Sequence, residues 1–130
     1  MADAAVFDTR FLVALFYSPR PDVARRLKRE YVRARHRLVS VVTLHEFYRL
    51  TLENKGRDVA RLRNQAILRD FTPVDVDVDL AVRGAELRHG HGFSLADSII
   101  AAIAIREGCP IVSDDPHFGE IEGLKTRWIS

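Results

Sequence analysis

Cysteine is nearly absent from this 130-residue chain, where Cys109 stands alone. No internal disulfide can form, and a metal site built from thiolates is not expected. Cys109 itself reads as a small buried residue beside the turn Gly108-Cys109-Pro110. Long hydrophobic runs are missing too. The longest, Ile99 to Ile105, is far too short to cross a bilayer, so no membrane partner is expected. The opening Met1-Ala2-Asp3-Ala4 carries neither a basic n-region nor a signal-type apolar stretch, which makes a cytoplasmic location the expectation. No Gly-rich phosphate-binding loop is present. Side-chain amides are limited to Asn54, Asn64 and Gln65, and scarce amides beside abundant charge are a thermophile-like composition.

What remains is ordinary for a folded protein. Hydrophobic residues make up 47% and charged residues 29% of the chain, and residues 1–130 suffice for a single domain with its own core. The net charge of +2 permits a nucleic-acid partner without demanding one.

Ala4 to Asp8 reads as a short buried strand, and Asp8-Thr9 then caps a helix to about Tyr17. After the loop Ser18-Pro19-Arg20-Pro21, a second helix runs to about Arg35. It carries Val23, Leu27, Tyr31 and Ala34 in one stripe and Arg25, Arg26, Arg29 and Arg33 opposite. That basic face is either a set of phosphate contacts or a solvated helix surface, and Arg57, Arg61 and Arg69 add further cations. Leu38 to Val41 is a second strand. The next helix carries Glu46 and ends at Lys55-Gly56. Asp58 to Arg69 forms another, with Val59, Leu62, Ala66 and Leu68 expected to face inward. Phe71 to Val76 is a third strand, placed at an edge by Pro73. Asp77 to Arg88 is helical, and His89-Gly90-His91-Gly92 reads as a flexible break. Ser94 opens a helix to Arg106, closed by Gly108. Ile111 to Ser113 and Lys125 to Ile129 complete the strands. Strand-then-helix steps of this kind imply an α/β fold with a central, mainly parallel sheet of five strands and helices on both faces, three layers in all. Ligands in such folds bind beyond the carboxyl ends of the strands.

Four acids stand where elements meet that edge: Asp8, Glu46, Asp97 and Asp115. Three have a structural explanation of their own. Asp8 could be a helix N-cap, Ser94-Leu95-Ala96-Asp97 could be a capping box, and Asp115-Pro116 could open a turn or short helix. Glu46 resists this, because its neighbours one turn away are Val42 and Leu50, so it either points into a cleft, is buried, or pairs with Arg49. Gathered together, such carboxylates would take up protons or recruit a divalent cation, and hard oxygen donors favour Mg²⁺ or Mn²⁺.

In these segments the chain resembles the PIN-domain ribonucleases, and among them the VapC-type toxins of toxin–antitoxin pairs. Val6-Phe7-Asp8-Thr9-Arg10-Phe11-Leu12 is similar to the family's first acidic segment, and Thr43-Leu44-His45-Glu46-Phe47-Tyr48-Arg49-Leu50 to its second. Ser94-Leu95-Ala96-Asp97-Ser98-Ile99-Ile100-Ala101-Ala102-Ile103-Ala104 matches the third. Ile111-Val112-Ser113-Asp114-Asp115-Pro116-His117-Phe118 matches the fourth, with Ser113 where Thr is commoner and Asp114 as an additional acid. The resemblance implies a parallel sheet of order 3-2-1-4-5 and a metal-binding, catalytic site of Asp8, Glu46, Asp97 and Asp115 supported by Thr9 and Ser113. It also implies cleavage of single-stranded RNA by metal-activated water, a VapB-type antitoxin and a homodimer. Arg10, next to Asp8-Thr9, is the expected RNA contact. His117 lies in the fourth segment without being one of its acids and is assigned no catalytic role.

Other readings stay open at this level. Some PIN nucleases serve in RNA processing, and a noncatalytic RNA- or protein-binding module would retain the same acids for structure or for a partner's Arg or Lys. A phosphoryl-transfer enzyme of the haloacid-dehalogenase kind would want Asp-x-Asp at the first strand, where Asp8-Thr9-Arg10 supplies one acid.

Overall fold

Alternation along the strands decides which residues meet which layer. A computed structural model describes residues 3–17 and 20–128. In chain order the elements are β1 (Ala4–Phe7), α1 (Thr9–Tyr17), α2 (Pro21–Arg33), β2 (His36–Ser40), α3 (Val41–Lys55), α4 (Arg57–Asp70), β3 (Thr72–Val74), α5 (Val78–Gly90), α6 (Leu95–Glu107), β4 (Ile111–Val112), a short 3₁₀ helix (Pro116–Glu120) and β5 (Thr126–Arg127). The strands form one parallel sheet in the order β3-β2-β1-β4-β5. Side chains two apart on a strand share a face. Ala4 and Val6, with Leu38 and Ile111, pack against α5 and α6, whereas Ala5 and Phe7, with Val39 and Val112, pack against α1 to α4. A sheet buried on both faces needs apolar residues at every position, and all four residues of β1 are buried.

The helices start and stop where their caps say. Ser40 accepts from Val42 N–H (3.0 Å) and Asp77 from Leu80 N–H (2.8 Å), and Gly108 closes α6 in the left-handed conformation at φ 64°. Arg37 on β2 ties two helix ends to the sheet. Its guanidinium donates to the carbonyls of Tyr31, Ala34 and Asp70 at 3.1, 2.9 and 2.8 Å.

Three local expectations need correction. Residues 89–90 are not a break, because α5 continues to Gly90; only His91 and Gly92 lie beyond it, and helical hydrogen bonding tolerates a glycine in the last turn. In α4 the inward residues are Ala60 and Ile67, while Leu62 and Leu68 are 65% and 46% exposed. The packed stripe is narrower than the apolar pattern, since α4 lies at the rim of its layer. The second strand starts at His36 and ends at Ser40, with Val41 already helical because Ser40 caps α3. Ser18, Pro19 and Ile129, the last of them assigned to the fifth strand, lie outside the described residues.

What positions the site is α6. Ile99 to Ala104 are all buried, so the helix runs through the interior rather than along the surface. It is held closely against α5 at Gly84, where an added Cβ would lie 3.0 Å from Ile99 Cδ1 and 3.5 Å from Ser98 Oγ. Gly84→Leu is expected to overpack this contact and destabilise the fold by about 1–3 kcal/mol. Urea unfolding measures it, and an unchanged midpoint would show that α5 and α6 separate at no cost.

Candidate functional site

Strand β1 ends in the middle of the sheet, and the next residue is Asp8. Chain connections lead from β1 to β2 and β3 on one side and return at β4 on the other, so β1 and β4 flank the point where strand order reverses. Phe7 anchors this end in a fully buried aromatic cluster, edge-on to Phe11 at 4.7 Å and Phe71 at 5.3 Å between ring centres. Asp8 caps α1, with Oδ1 accepting from Phe11 N–H at 2.9 Å. Its side chain is nevertheless almost without water, the residue being 3% exposed. Burial pushes its carboxyl up to about 6, helped by the charges of Asp114 and Asp97 and opposed by the Ser113 side chain and the Phe11 N–H.

Asp97 occupies the first turn of α6. Ser94 Oγ accepts its N–H at 3.2 Å, so the capping geometry read from the sequence is present. Asp97 is also the only residue between Ala96 and Ala104 that is not fully buried. Burial raises its carboxyl above the ordinary range, and the charges of Asp115 and Glu46 add to this, against the lowering influence of Ser94 and His117. Glu46 is exposed on α3 and accepts the Thr9 hydroxyl at 2.7 Å. Of its three expected fates, the cleft is the one observed. Arg49 faces Glu53 instead, at 3.6 Å, and Glu46 borders a cavity of about 530 Å³ with His45, Arg49, Ser94 and Ala96.

The fourth segment leaves β4 as Ser113-Asp114-Asp115. Ser113 Oγ accepts the Asp115 N–H at 3.0 Å and shapes the turn. Asp115 Oδ1 accepts both the N–H of His117 (3.0 Å) and its ring Nδ1 (2.7 Å). Burial works against the charge of Asp115, but the backbone and ring of His117 and the charge of Arg10 outweigh it and hold the carboxyl below its usual value. Asp114 turns to Arg10 instead, whose Nε lies 2.7 Å from Asp114 Oδ1. The two neighbouring acids thus have different partners.

The structure therefore lines the acids along one edge with Asp97 in the middle, within electrostatic reach of Asp8, Glu46 and Asp115. Among the described residues, no three His, Cys, Asp or Glu side chains close around a single point as metal ligands would. Oxygens of Glu46 and Asp115 are turned to Thr9 and His117. The engagement of His117 was not drawn from the sequence, although the order Asp-Pro-His carries its signal. An Asp at an N-cap commonly accepts from the N–H two residues on, which brings that residue's ring alongside.

The sequence model of the PIN domain matches residues 5–124. No curated protein matches the chain. Among solved structures, a toxin–antitoxin complex from Klebsiella pneumoniae contains a chain 25% identical, with a TM-score of 0.73 over 92% of this chain and 94% of that one. VapBC2 from Rickettsia felis, bound to a DNA fragment from their promoter, is 16% identical with a TM-score of 0.79 over 98% and 99%. Mycobacterium tuberculosis VapC20, a Sarcin-Ricin loop cleaving toxin, is 20% identical with a TM-score of 0.72 over 88% and 92%. The last two likenesses are of fold.

The raised carboxyl of Asp8 makes a prediction about pH. Well below pH 3.8 it is neutral in both folded and unfolded chains. As pH rises toward 6 only the unfolded chain ionises, so the folded state loses ground, by about 3 kcal/mol for a shift from 3.8 to about 6. Asp8→Asn, which can still accept from Phe11, is therefore expected to melt higher than the parent at pH 7.5 in chelator, with the gain shrinking as pH falls from about 6 and vanishing below 3.8. Calorimetry across that range checks it, and a variant that melts lower at pH 7.5 would mean the charge is welcome.

Proposed function

Because the chain belongs to the PIN-domain family, we propose that it is a metal-dependent endoribonuclease of single-stranded RNA and the toxin of a VapBC-type toxin–antitoxin pair. The observation that carries this reading is the buried Asp8 carboxyl at the switch point of a parallel sheet. Asp97 is in electrostatic reach, and no cationic side chain among the described residues pairs with Asp8.

The donor set fits a hard divalent cation, since it consists of carboxylate oxygens whose mutual repulsion and burial leave a positive charge wanting. Asp8, Asp97 and Asp115 would hold Mg²⁺ or Mn²⁺, and Glu46 would bind a second ion or orient the attacking water. A bound ion supplies a water of lowered pKa and offsets charge growing on the phosphate. The chain's own part is placement. Phe11 N–H fixes Asp8, the Thr9 hydroxyl fixes Glu46, and Ser113 sets the turn that carries Asp115. Arg10, held by Asp114, supplies a guanidinium at the rim where a phosphate of the substrate would pass.

The partners follow from the same reading. The Klebsiella pneumoniae chain comes from a toxin–antitoxin complex and the Rickettsia felis chain from a VapBC complex on promoter DNA. A VapB-type antitoxin would inhibit this chain by placing an arginine among the acids in the cation's stead, and the active form would be a homodimer. No described helix is long and apolar enough to cross a membrane, and the proposed location is cytoplasmic.

One observation favours a second reading. Since no three ligand side chains among the described residues close on one point, the acids would serve a noncatalytic module by gripping a partner's Arg or Lys. A Mn²⁺ titration separates the two. Under the nuclease reading, Mn²⁺ raises the melting temperature of the parent but not of Asp97→Asn. RNA cleavage falls to background in Asp97→Asn and in excess EDTA, and Thr9→Val loses about 10–100-fold. Cleavage that persists undiminished in EDTA would end the metal-dependent mechanism, and metal stabilisation without any cleavage would leave the module.

A further inference from the structure

Helix α2 holds the chain's excess positive charge. Its thirteen residues include Arg25, Arg26, Lys28, Arg29 and Arg33 against Asp22 and Glu30. That is a net of +3 in a chain whose total is +2, so everything outside α2 is close to neutral. Leu27 is fully buried, with Val23 and Tyr31 beside it, and at 100° per residue the opposite face centres on Arg25 and Arg29, flanked by Arg26, Lys28 and Arg33. All five are exposed.

The acids of α2 do not neutralise this face. Asp22 pairs at the helix start with Arg20, at 3.2 Å. Glu30 is turned inward, its side chain only 12% exposed and its carboxylate 2.9 Å from Arg127 Nε on β5. It meets Arg33 only at 3.9 Å. Among the described residues, Arg25, Arg26, Lys28 and Arg29 have no carboxylate partner in ion-pair range. Arg25 and Arg29, like Arg29 and Arg33, stand one turn apart, where like charges repel. A helix that turns its own acid toward the sheet and leaves such a row unpaired is arranged to meet a polyanion.

We infer that the outer face of α2 is a second RNA-contact surface, gripping the phosphate backbone of the substrate outside the acidic cleft. This rests on the RNA reading above. The face carries cations along about 12 Å of helix from Arg25 to Arg33, so binding orders their side chains but not the backbone that carries them. An acidic protein is the weaker fit. Protein interfaces centre on a desolvated apolar or aromatic core, and the large exposed hydrophobic residue on this helix is Val32 alone. The consequence is selection by length: an RNA that reaches α2 binds tighter than one that fills only the cleft.

The test uses Asp97→Asn protein, so that RNA is bound and not cut, and the triple substitution Arg25→Gln, Arg26→Gln, Arg29→Gln made in it. Glutamine keeps helix propensity, and a retained melting temperature confirms the fold. Fluorescence anisotropy is read over a salt series with a long polyuridylate and with a pentanucleotide. For the long RNA the slope of log affinity against log salt is expected to fall by about 2 in the triple variant, with affinity for the pentanucleotide unchanged. The matching Arg→Lys triple should keep the parent slope. A parent that binds RNA with a slope untouched by the glutamine triple overturns the α2 surface alone. A parent that binds neither RNA overturns the RNA reading with it. Loss of binding to polyglutamate with RNA binding intact would assign the face to an acidic protein and also overturn the inference.

Discussion

A carboxyl group without water and without a counter-charge sits at the end of the central strand, and the arrangement around it answers to that. Asp8 cannot move into solvent, because Phe7 before it and Phe11 after it are locked in the aromatic cluster under α1. It cannot be satisfied by hydrogen bonds alone either. The Phe11 N–H and the Ser113 side chain pull its acidity toward the ordinary range, and burial still wins. Asp97, carried on the most deeply buried helix, sits in the same predicament to a lesser degree. Strongly perturbed carboxyls of this kind cluster at functional sites.

Capping and chemistry are not competing explanations for these acids. In a parallel sheet every strand ends at the same edge, and the helices that follow begin there. Their N-termini carry unpaired N–H groups and the positive ends of the helix dipoles. Asp8 and Asp115 each spend Oδ1 on the N–H of the element they introduce, which fixes the carboxyl plane and leaves Oδ2 free of that duty. Asp97, in the first turn of α6, gives its own N–H to Ser94. The same backbone geometry that needs an acceptor at each helix start therefore delivers acids to one edge.

Charge on the surface follows a different logic. Several cations of this chain are answered by nearby carboxylates: Arg10 by Asp114, Arg83 by Asp79, and Arg106 by Asp77 and Asp79. Exposed pairs of this sort contribute little to stability, yet they cancel the local field. The outer face of α2 gathers four cations without such a partner among the described residues on one helix, Arg25, Arg26, Lys28 and Arg29, and long-range attraction of a polyanion depends on such uncancelled charge.

The strands, their parallel pairing and the six long helices were legible in the sequence, because buried strands are apolar throughout and helix starts and stops carry Ser, Asp, Pro and Gly at fixed places. The four acids were legible as anomalies against apolar neighbours. Which leucines of α4 face out was not, since amphipathic spacing says how a stripe runs and not how wide a neighbour covers it. The partner of each acid was not legible either. Asp114 and Asp115 are adjacent and chemically identical, and only the turn set by Ser113 sends one to Arg10 and the other to His117. Local pattern determines elements because it depends on neighbours within a few residues. The pairing of Thr9 with Glu46, 37 residues apart, and of Glu30 with Arg127 was decided by tertiary structure alone, because distances between side chains on separate elements exist only once the sheet has assembled.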